Sequence, residues 1–586
     1  MSRPDATVIG RVRHVLGSTV TVELDPKMAG VSPIYRGAVL SVGQIGSLVR
    51  LPQGLVDLVG SVSLVGIAEL AGRLQPVDEA QRGERWLQVQ LIGEIHRATS
   101  TFHRGVGSFP ALDDEVHFAT VDDLRAVYPP PGANSLRIGT LSAAEELPVC
   151  LNASKLVVRH AAIVGSTGSG KTSAVASILQ SFARGGWTSA NILVVDPHGE
   201  YKKALEGNSS VRSVLGEKEG ALHVPFWALP AVDILRIFAG TTGSNAFSNR
   251  FAEFVAEARR DFAKTATWLK LEPTAITADT PIPFGIREVW HKLDAENRET
   301  RAVKADPATA AACLLHPGNP DELQSATYKP YAPGGATPFQ GPYFGVHGTM
   351  PDSLRLGLKD PRLQFFLEPE GTPEGPDPLI EVVRDWLGRK SPISVLDFAG
   401  VSPVAADLAI GVILNLIFEL CVRSNSDGPG IGRPQPVFVV LEEAHRYLGS
   451  HASALTRDSA NRIAREGRKY GVGLLMVTQR PTELPDTALA QCGTLVALRL
   501  SNSSDQGTIK SALPDSVAGL AAVLPSLRTG EAIVSGEGLL IPSRTMLDLP
   551  DPLPHAEDPS LEPWRGEKAL PDVSGPLASW RGQYEE

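Results

Sequence analysis

The run GSTGSGKT at Gly165 to Thr172 constrains the fold of this 586-residue chain more than any other feature. Its glycines let the backbone turn tightly, so that successive N–H groups point inward at phosphate oxygens. Lys171 would place a positive charge at the β- and γ-phosphates, and the hydroxyl of Thr172 suits magnesium. We therefore expect ATP and Mg²⁺ as cofactors. The predicted phosphate-binding residues are Gly165, Ser166, Thr167, Gly168, Ser169, Gly170, Lys171, Thr172 and Ser173.

Such a loop needs a strand before it and a helix after it, and the surrounding sequence has this pattern. Strands alternate with helices on both sides of the loop, which is typical of an α/β fold with a mostly parallel sheet. The predicted strands are His160 to Val164, Asn191 to Val195, Ile393 to Leu396, Val437 to Leu441, Val472 to Val477 and Thr494 to Leu500. The predicted helices between them are Thr172 to Arg184, Ala405 to Arg423 and Ala454 to Tyr470.

The segments outside this core have other patterns. Residues 1–130 hold short β-like runs separated by glycine, which predicts a small N-terminal β-barrel or sandwich. The α/β core is expected at 136–224 and again at 391–549. Between the two parts, 225–390 mixes helical stretches with Pro/Gly-rich loops and is interpreted as an inserted helical subdomain. The polar, Pro-rich residues 550–586 predict a C-terminal arm.

Composition and charge limit the predicted cellular location of the chain and the ligands it could bind. The N-terminus lacks the pattern of a signal peptide, and the apolar stretch at Leu408 to Val422 is judged too short and too charged to span a membrane. Four scattered cysteines give neither a zinc motif nor a disulfide framework. We therefore expect a cytoplasmic protein that does not use a membrane. The net charge of −10 leaves a local basic channel for DNA possible.

Two acidic residues end the strand PVFVVLEEAH. Beside a phosphate loop, this is where a carboxylate on the magnesium side and a water-activating base belong. By position, Glu442 would lie near the metal and Glu443 would polarise the attacking water. Glu442 departs from the usual Asp, and its longer side chain would act through water or support the site structurally. A solvated acidic strand end is the plain alternative.

Three further polar residues follow buried strands. Gln479 ends GLLMVTQRP, where an amide can sense the γ-phosphate or position water. Asp196, in VVDPHGEY, would either support the catalytic water or hold the turn. Asp397, in SVLDFAG, has the same two interpretations and favours the structural one.

Arginines are expected because a guanidinium stabilises the charge that develops on the transferred phosphoryl group, often from a neighbouring subunit. The candidates are Arg159, just before the first core strand, and Arg462, Arg465 and Arg468 on the helix before the Gln479 strand. Exposed helical arginines are usually only solvated, so chemistry alone does not choose among them.

Five motifs, in order, resemble those of the HerA family of DNA-translocating ATPases: VVRHAAIVGSTGSGKT, VVDPHGEY, VFVVLEEAHRYL, AREGRKYGVGLLMVTQRP and LRTGEAIVSG. The resemblance implies a RecA-like core with an N-terminal β-barrel. It implies that Lys171 and Thr172 are the Walker A residues, Glu443 the catalytic glutamate and Gln479 the sensor. It further places Arg468 at a trans-acting position and Arg159 at a subunit interface.

The resemblance also implies partners. Relatives form homohexameric rings that pump duplex DNA through a central pore. They work with a NurA-like nuclease in DNA end processing, or with a nuclease or sirtuin-like effector in antiphage defence. The barrel is the usual docking surface for these partners.

Two alternatives remain open from the sequence. The chain could be a nucleotide-dependent assembly platform that scaffolds an effector without translocation, or a conjugative coupling ATPase, which the expected lack of a membrane segment disfavours. For DNA, the segment Tyr201, Lys202 and Lys203 is a candidate pore loop, and a pair of solvated surface lysines is the plain interpretation.

Overall fold

A computed structural model of the chain describes residues 7–25, 34–35, 38–39, 44–67, 85–216, 220–303, 312–331, 334, 337–368, 371–425, 428–514, 518–555, 561–565 and 572–581. Three groups of elements follow one another along the chain: an N-terminal barrel, a large sheet covered by helices, and a helical region inserted between the two halves of that sheet.

The N-terminal region is a closed antiparallel barrel of six strands, with order β2-β1-β9-β5-β6-β7 and closure between β7 and β2. Alternate residues point inward, as the buried positions of β7 show. The strands of this region are β1 (Val8–Leu16), β2 (Thr19–Leu24), β3 (Ile34–Tyr35), β4 (Ala38–Val39), β5 (Leu48–Gln53), β6 (Val56–Ile67), β7 (Arg85–His96), β8 (Thr101–Arg104) and β9 (Glu115–Phe118). The helix α1 (Val121–Val127) leads out of the barrel.

The second group is one sheet of eleven strands, in the order β11-β10-β24-β23-β22-β12-β21-β20-β13-β19-β14. Pairing is parallel from β22 to β14 and antiparallel from β11 to β22. Its strands are β10 (Ser135–Leu141), β11 (Ala144–Asn152), β12 (Ala161–Val164), β13 (Asn191–Asp196), β14 (Ser209–Ser213), β19 (Ile393–Asp397), β20 (Val437–Leu441), β21 (Val472–Thr478), β22 (Thr494–Ala497), β23 (Glu531–Gly536) and β24 (Ser543–Leu547). The predicted fold class, a mostly parallel α/β core behind a small barrel, is confirmed.

Helices cover both faces of this sheet, so its central strands are buried throughout. One face packs against α3 and the other against α10 and α12. The helices of the core are α2 (Ala153–Val158), α3 (Lys171–Arg184), α4 (Tyr201–Ala204), α10 (Pro403–Arg423), α11 (His445–Leu448), α12 (Ala454–Tyr470), α13 (Asp486–Ala490), α14 (Ser503–Ala512) and α15 (Ala518–Ala521).

Contrary to the sequence expectation, α10 is long and apolar enough to cross a membrane, judged by length and composition alone. It is the one such helix among the described residues. Its most apolar 18-residue window has a mean hydropathy of 2.0, yet 72% of that window is buried inside the protein. The apolar character of α10 is therefore explained by its packing against α12 and the sheet.

The inserted region contains α5 (Ala231–Ala239), α6 (Asn245–Ala263), α7 (Ile286–Arg298), α8 (Met350–Leu358) and α9 (Pro378–Trp386), with short strands β15 (Thr300–Arg301), β16 (Leu314–His316), β17 (Thr327–Tyr328) and β18 (Phe339–Gln340). Its buried aromatics Trp227, Trp290 and Trp386 belong to the same apolar cluster as residues of α10 and β20. The insertion thus shares a core with the sheet.

The chain beyond β24 returns to the sheet edge that carries the phosphate loop. The backbone N–H of Asp551 donates to the side chain of Gln180, and that of His555 donates to the carbonyl of Glu200. Further along, α16 (Ser574–Trp580) is described within the predicted arm.

Candidate nucleotide site

The phosphate loop connects β12 to α3, and α3 begins at Lys171. Gly168 and Gly170 have left-handed backbones, with φ of 71° and 101°. A side chain at Gly170 would also bring its Cβ within 3.2 Å of the backbone nitrogen of Gly530. Both positions therefore favour glycine, and the turn they make precedes the N-terminus of α3, which is suited to bind an anion.

The Lys171 side chain lies among three carboxylates. Its amine donates to the carbonyl of Ser166 over 3.1 Å. Burial lowers the pKa of Lys171, and the charges of Glu443, Glu442 and Glu200 oppose that shift. The fold thus brings together one cation and three acids from the ends of three strands, as expected of an edge that binds phosphate and metal.

Glu200 is the site residue that the sequence reasoning missed. The hydroxyl of Thr172 donates to a Glu200 carboxylate oxygen over 3.0 Å. The signal was present, because Glu200 follows β13 in the same VVDPHGEY run that drew attention to Asp196. A hydroxyl, a carboxylate and phosphate oxygens are the hard ligands that Mg²⁺ prefers, so this donor set fits the ion.

Asp196 and Asp397 hold turns. The Asp196 carboxylate accepts backbone hydrogen bonds from His198, Gly199 and Tyr201, at 2.9 to 3.2 Å. Burial raises the pKa of Asp196, and these hydrogen bonds oppose the shift. Asp397 likewise accepts from the N–H of Ala399 over 2.8 Å. The structure therefore favours the turn-holding interpretation for both aspartates.

Glu442 is 8% exposed and accepts a hydrogen bond from the hydroxyl of Tyr201. Burial raises the pKa of Glu442 to about 8. Because the Glu442 carboxylate is buried and held by the Tyr201 hydroxyl, the geometry favours the structural alternative for Glu442 over direct coordination.

The candidate DNA contact at Tyr201 is wrong. Its side chain is 0% exposed and donates a hydrogen bond to Glu442, so it has no surface to offer to DNA. Lys202 and Lys203, on the same short helix, are exposed. Their DNA contact stays a prediction.

Glu443 has a left-handed backbone, with φ of 52°, which is uncommon for a residue other than glycine. Its carboxylate oxygen Oε2 is buried and accepts no hydrogen bond from the described residues, although Nδ1 of His445 lies 3.3 Å from it. A general base needs a free acceptor, so this oxygen is available to take a proton from water.

Gln479 lies directly against the phosphate loop. Its side-chain oxygen accepts a hydrogen bond of 2.8 Å from the hydroxyl of Thr167. Strand β21 therefore ends where an amide can contact a nucleotide held by the loop. Two residues singled out from separate motifs, 312 positions apart, meet at one point.

Arg159 and Arg468 line one cavity of about 740 Å³, together with Arg433, Arg465, Lys469 and Glu537. Arg159 pairs with Glu537, whereas no ion pair or hydrogen bond engages the Arg468 guanidinium within the described ranges. Arg462, also considered from the sequence, instead pairs with Glu419 and lies over the ring of Phe418. That contact makes Arg462 part of the packing between α10 and α12.

The arginine cavity lies at the amino ends of the parallel strands, and the phosphate loop lies at their carboxyl ends. Arg159 precedes β12 and the loop follows it, so the four residues of β12 separate them by roughly 13 Å. Arg468 precedes β21 and Gln479 follows it, which is a separation of roughly 23 Å over seven residues. Neither arginine can reach a nucleotide held by its own chain.

Two family models match the chain. Residues 136–313 match the family model described as "Helicase HerA, central domain", and residues 390–539 match "Helicase HerA-like C-terminal". Together these matches cover more than half of the chain. The chain belongs to the HerA helicase family.

Curated relatives match over most of their length. A probable helicase of Methanocaldococcus jannaschii is 24% identical over 84% of this chain and 85% of its own. The DNA double-strand break repair helicase HerA of Sulfolobus acidocaldarius is 25% identical over 80% of each chain. That of Saccharolobus solfataricus is 26% identical over 73% of this chain and 71% of its own.

Among solved structures, VirB4 of Thermoanaerobacter pseudethanolicus is similar over 71% of this chain and 97% of its own, with 13% identity and a TM-score of 0.45. Similarity at that level adds nothing to the HerA assignment. The HerA central model includes Arg159, the phosphate loop and Glu200, and the C-terminal model includes Glu443, Arg468 and Gln479. The N-terminal barrel lies outside both matched ranges.

Proposed function

We propose that this HerA-family chain is an ATP-driven translocase or helicase for double-stranded DNA. The observation that carries the proposal is the meeting of three strand ends: the phosphate loop after β12, Glu443 after β20 and Gln479 after β21. A protein that only binds nucleotide needs the loop and its lysine. A water-activating carboxylate and an amide against the loop are parts of a hydrolytic site.

Each residue of the site has a separate role in ATP hydrolysis. Backbone N–H groups of residues 165–170 hold the phosphates, and Lys171 neutralises charge at the β- and γ-oxygens. The Thr172 hydroxyl, with Glu200 beside it, would hold Mg²⁺, which offsets the negative charge of the phosphates when bound. Glu443 accepts the proton of the attacking water, and Gln479 orients that water or contacts the γ-phosphate.

The site is completed by a neighbouring subunit in a homohexameric ring. Arg159 and Arg468 lie at the edge formed by the amino ends of the strands, far from their own phosphate loop. The Arg468 guanidinium is unpaired among the described residues. In a head-to-tail ring, that edge faces the nucleotide of the next chain. A guanidinium supplied in this way stabilises charge on the transferred phosphoryl group.

The proposed function also includes duplex DNA as the substrate and a partner protein bound to the barrel. Duplex DNA would pass through the ring, in the cytoplasm, during DNA repair or antiphage defence, with a nuclease or sirtuin-like effector on the barrel. Strands β1 and β5 both run antiparallel to β9, so the β1–β2 turn, the β5–β6 turn and the loop before β9 lie at one end of the barrel. Four apolar side chains there are 54% to 87% exposed, namely Leu16, Leu55, Phe109 and Leu112. They would form the docking surface.

The docking surface can be tested by co-expression with the product of the neighbouring gene. We expect the Leu55→Ser/Phe109→Ser variant to lose co-purification of that product. Leu356→Ser, at a similarly exposed position in the insertion, is the matched control and should retain it. Retention by the barrel variant would exclude this end of the barrel as the docking surface.

ATP turnover by the full-length chain with duplex DNA tests the main proposal. Lys171→Ala should lose nucleotide binding, whereas Glu443→Gln should retain binding and lose at least about 100-fold in turnover. Native mass with and without ATP and DNA should show six chains. If Glu443→Gln retained full biological activity, the chain would act as an assembly platform instead.

A further inference from the structure

The turn after β20 is tied to the end of β21 by one side chain that the mechanism above does not use. His445 is the first residue of α11, two positions after Glu443, and is 9% exposed. Its ring nitrogen Nδ1 lies 3.0 Å from the hydroxyl oxygen of Thr478 and 3.3 Å from Oε2 of Glu443. One nitrogen thus contacts both the candidate base and the last residue of the strand that carries Gln479.

Thr478 fixes the backbone around Gln479. It is 0% exposed, and its hydroxyl oxygen accepts a hydrogen bond of 2.9 Å from the N–H of Arg480. The hydroxyl of Thr478 therefore spans Gln479 and holds the turn in which it sits. The contact with His445 connects this turn to the Glu443 loop, which is also held by the hydrogen bond from the Ala444 N–H to the Val477 carbonyl.

The contact with Glu443 depends on the tautomer of His445. A carboxylate only accepts hydrogen bonds, so attraction between Nδ1 and Glu443 requires a hydrogen on Nδ1. That hydrogen then faces both Glu443 Oε2 and the Thr478 oxygen. The ring therefore lies against the carboxylate of Glu443, a residue whose left-handed backbone is strained.

We propose that His445 is a positioning residue for ATP hydrolysis, which keeps the Glu443 carboxylate in register with Gln479 through Thr478. The proposal rests on the proposed function, because it assigns Glu443 and Gln479 to one hydrolytic site. The chain of contacts runs from Glu443 to His445, to Thr478 and Gln479, and through Thr167 into the phosphate loop. Nucleotide in the loop can thereby influence the position of the base.

Full-length variants distinguish this role from simple packing. His445→Ala should lower kcat for DNA-stimulated ATP hydrolysis about 10- to 100-fold while the KM for ATP changes less than about two-fold. His445→Asn, whose amide can replace Nδ1–H, should recover most of the loss. Thr478→Val, which removes the shared hydroxyl but keeps the shape, should lower kcat in the same direction. His451→Ala, at an exposed histidine six positions along the same segment, is the matched control and should be unchanged.

The outcomes separate the two proposals. Wild-type turnover with an unchanged His445→Ala kcat overturns the role of His445 and leaves the proposed function intact. Equal losses of kcat in His445→Ala and His445→Asn, together with a lower unfolding temperature in both, would mean packing only and also overturn it. Absence of ATP turnover in the wild-type chain, with or without DNA, overturns the proposed function and this inference with it.

Discussion

The hydroxyl of Tyr201 donates a hydrogen bond to the carboxylate of Glu442, although the two residues are 241 positions apart in the chain. The bond joins the loop after β13 to the end of β20, and both side chains are buried. It places Glu200, the neighbour of Tyr201, against Thr172 of the phosphate loop. One buried pair thus sets the geometry on the metal side of the site.

Removing the Tyr201 hydroxyl leaves a buried carboxyl group without its donor. We expect Tyr201→Phe to lower the free energy of unfolding by about 1–3 kcal/mol, the usual range for an unsatisfied buried polar group. Urea unfolding of the full-length chain measures this. Lys202→Ala, an exposed neighbour on α4, should change it by less than about 0.5 kcal/mol. Equal effects of the two substitutions would contradict a structural role for the pair.

Acid should destabilise the chain through His160. Its Nδ1 accepts the N–H of Leu474 over 3.0 Å, and burial lowers the pKa of His160 to about 4. Between the ordinary pKa of about 6.5 and this value, the unfolded chain binds a proton that the folded chain does not. Stability therefore falls as pH falls through that range, by up to about 1.4 kcal/mol per pH unit from this group.

The variant His160→Asn isolates this contribution. Asparagine tolerates the left-handed backbone of position 160 and offers an acceptor to Leu474, but it does not titrate. The loss of unfolding free energy between about pH 7 and pH 5 should be smaller in the variant by about 2 kcal/mol. Identical pH profiles would show that His160 does not contribute.

The placement of the arginines predicts complementation between two inactive chains. Lys171→Ala lacks the lysine of the phosphate loop, and Arg468→Ala lacks the arginine that the proposed ring would offer to a neighbour. If chains assort randomly in a mixed ring, about a quarter of the interfaces combine an intact loop with an intact arginine. We expect ATP turnover in the mixture and little in either variant alone. A mixture as inactive as its components would count against a shared site.

Lys202 and Lys203 can be tested as DNA contacts by salt dependence. If both reach phosphates, Lys202→Ala/Lys203→Ala should weaken duplex binding and reduce the slope of log K against log salt by about 1 to 2. The double variant is compared with Lys359→Ala, an exposed lysine on the insertion. Unchanged affinity and slope would assign the pair to the solvated surface.

Several features of the fold and site were predicted from sequence because each depends on a short run of contiguous residues. The glycines and Lys171 of the phosphate loop, the acids after β20 and the glutamine after β21 each follow a short apolar strand. The carboxyl ends of parallel strands share one sheet edge, so these residues had to be neighbours. The antiparallel extension from β11 to β23 was not predicted, because its strands come from distant parts of the chain.

The errors within the site have one physical cause. Asp196, Glu200 and Tyr201 lie within six positions of each other, and their sequence pattern does not say which side chain the turn directs inward. Three backbone hydrogen bonds fix Asp196 in the turn, Glu200 meets Thr172, and Tyr201 is buried against Glu442. Backbone conformation and long-range packing decide such orientations.

The sequence by itself determined the α/β fold class and predicted a phosphate-binding loop at residues 165–172, since strand–helix alternation and local backbone chemistry suffice for these two inferences. Only the tertiary structure decided that Arg159 and Arg468 lie together at the strand ends opposite that loop, and that His445 lies between Glu443 and Thr478. Strand length and strand order set these relationships. They are properties of the assembled sheet, in which residues hundreds of positions apart become neighbours.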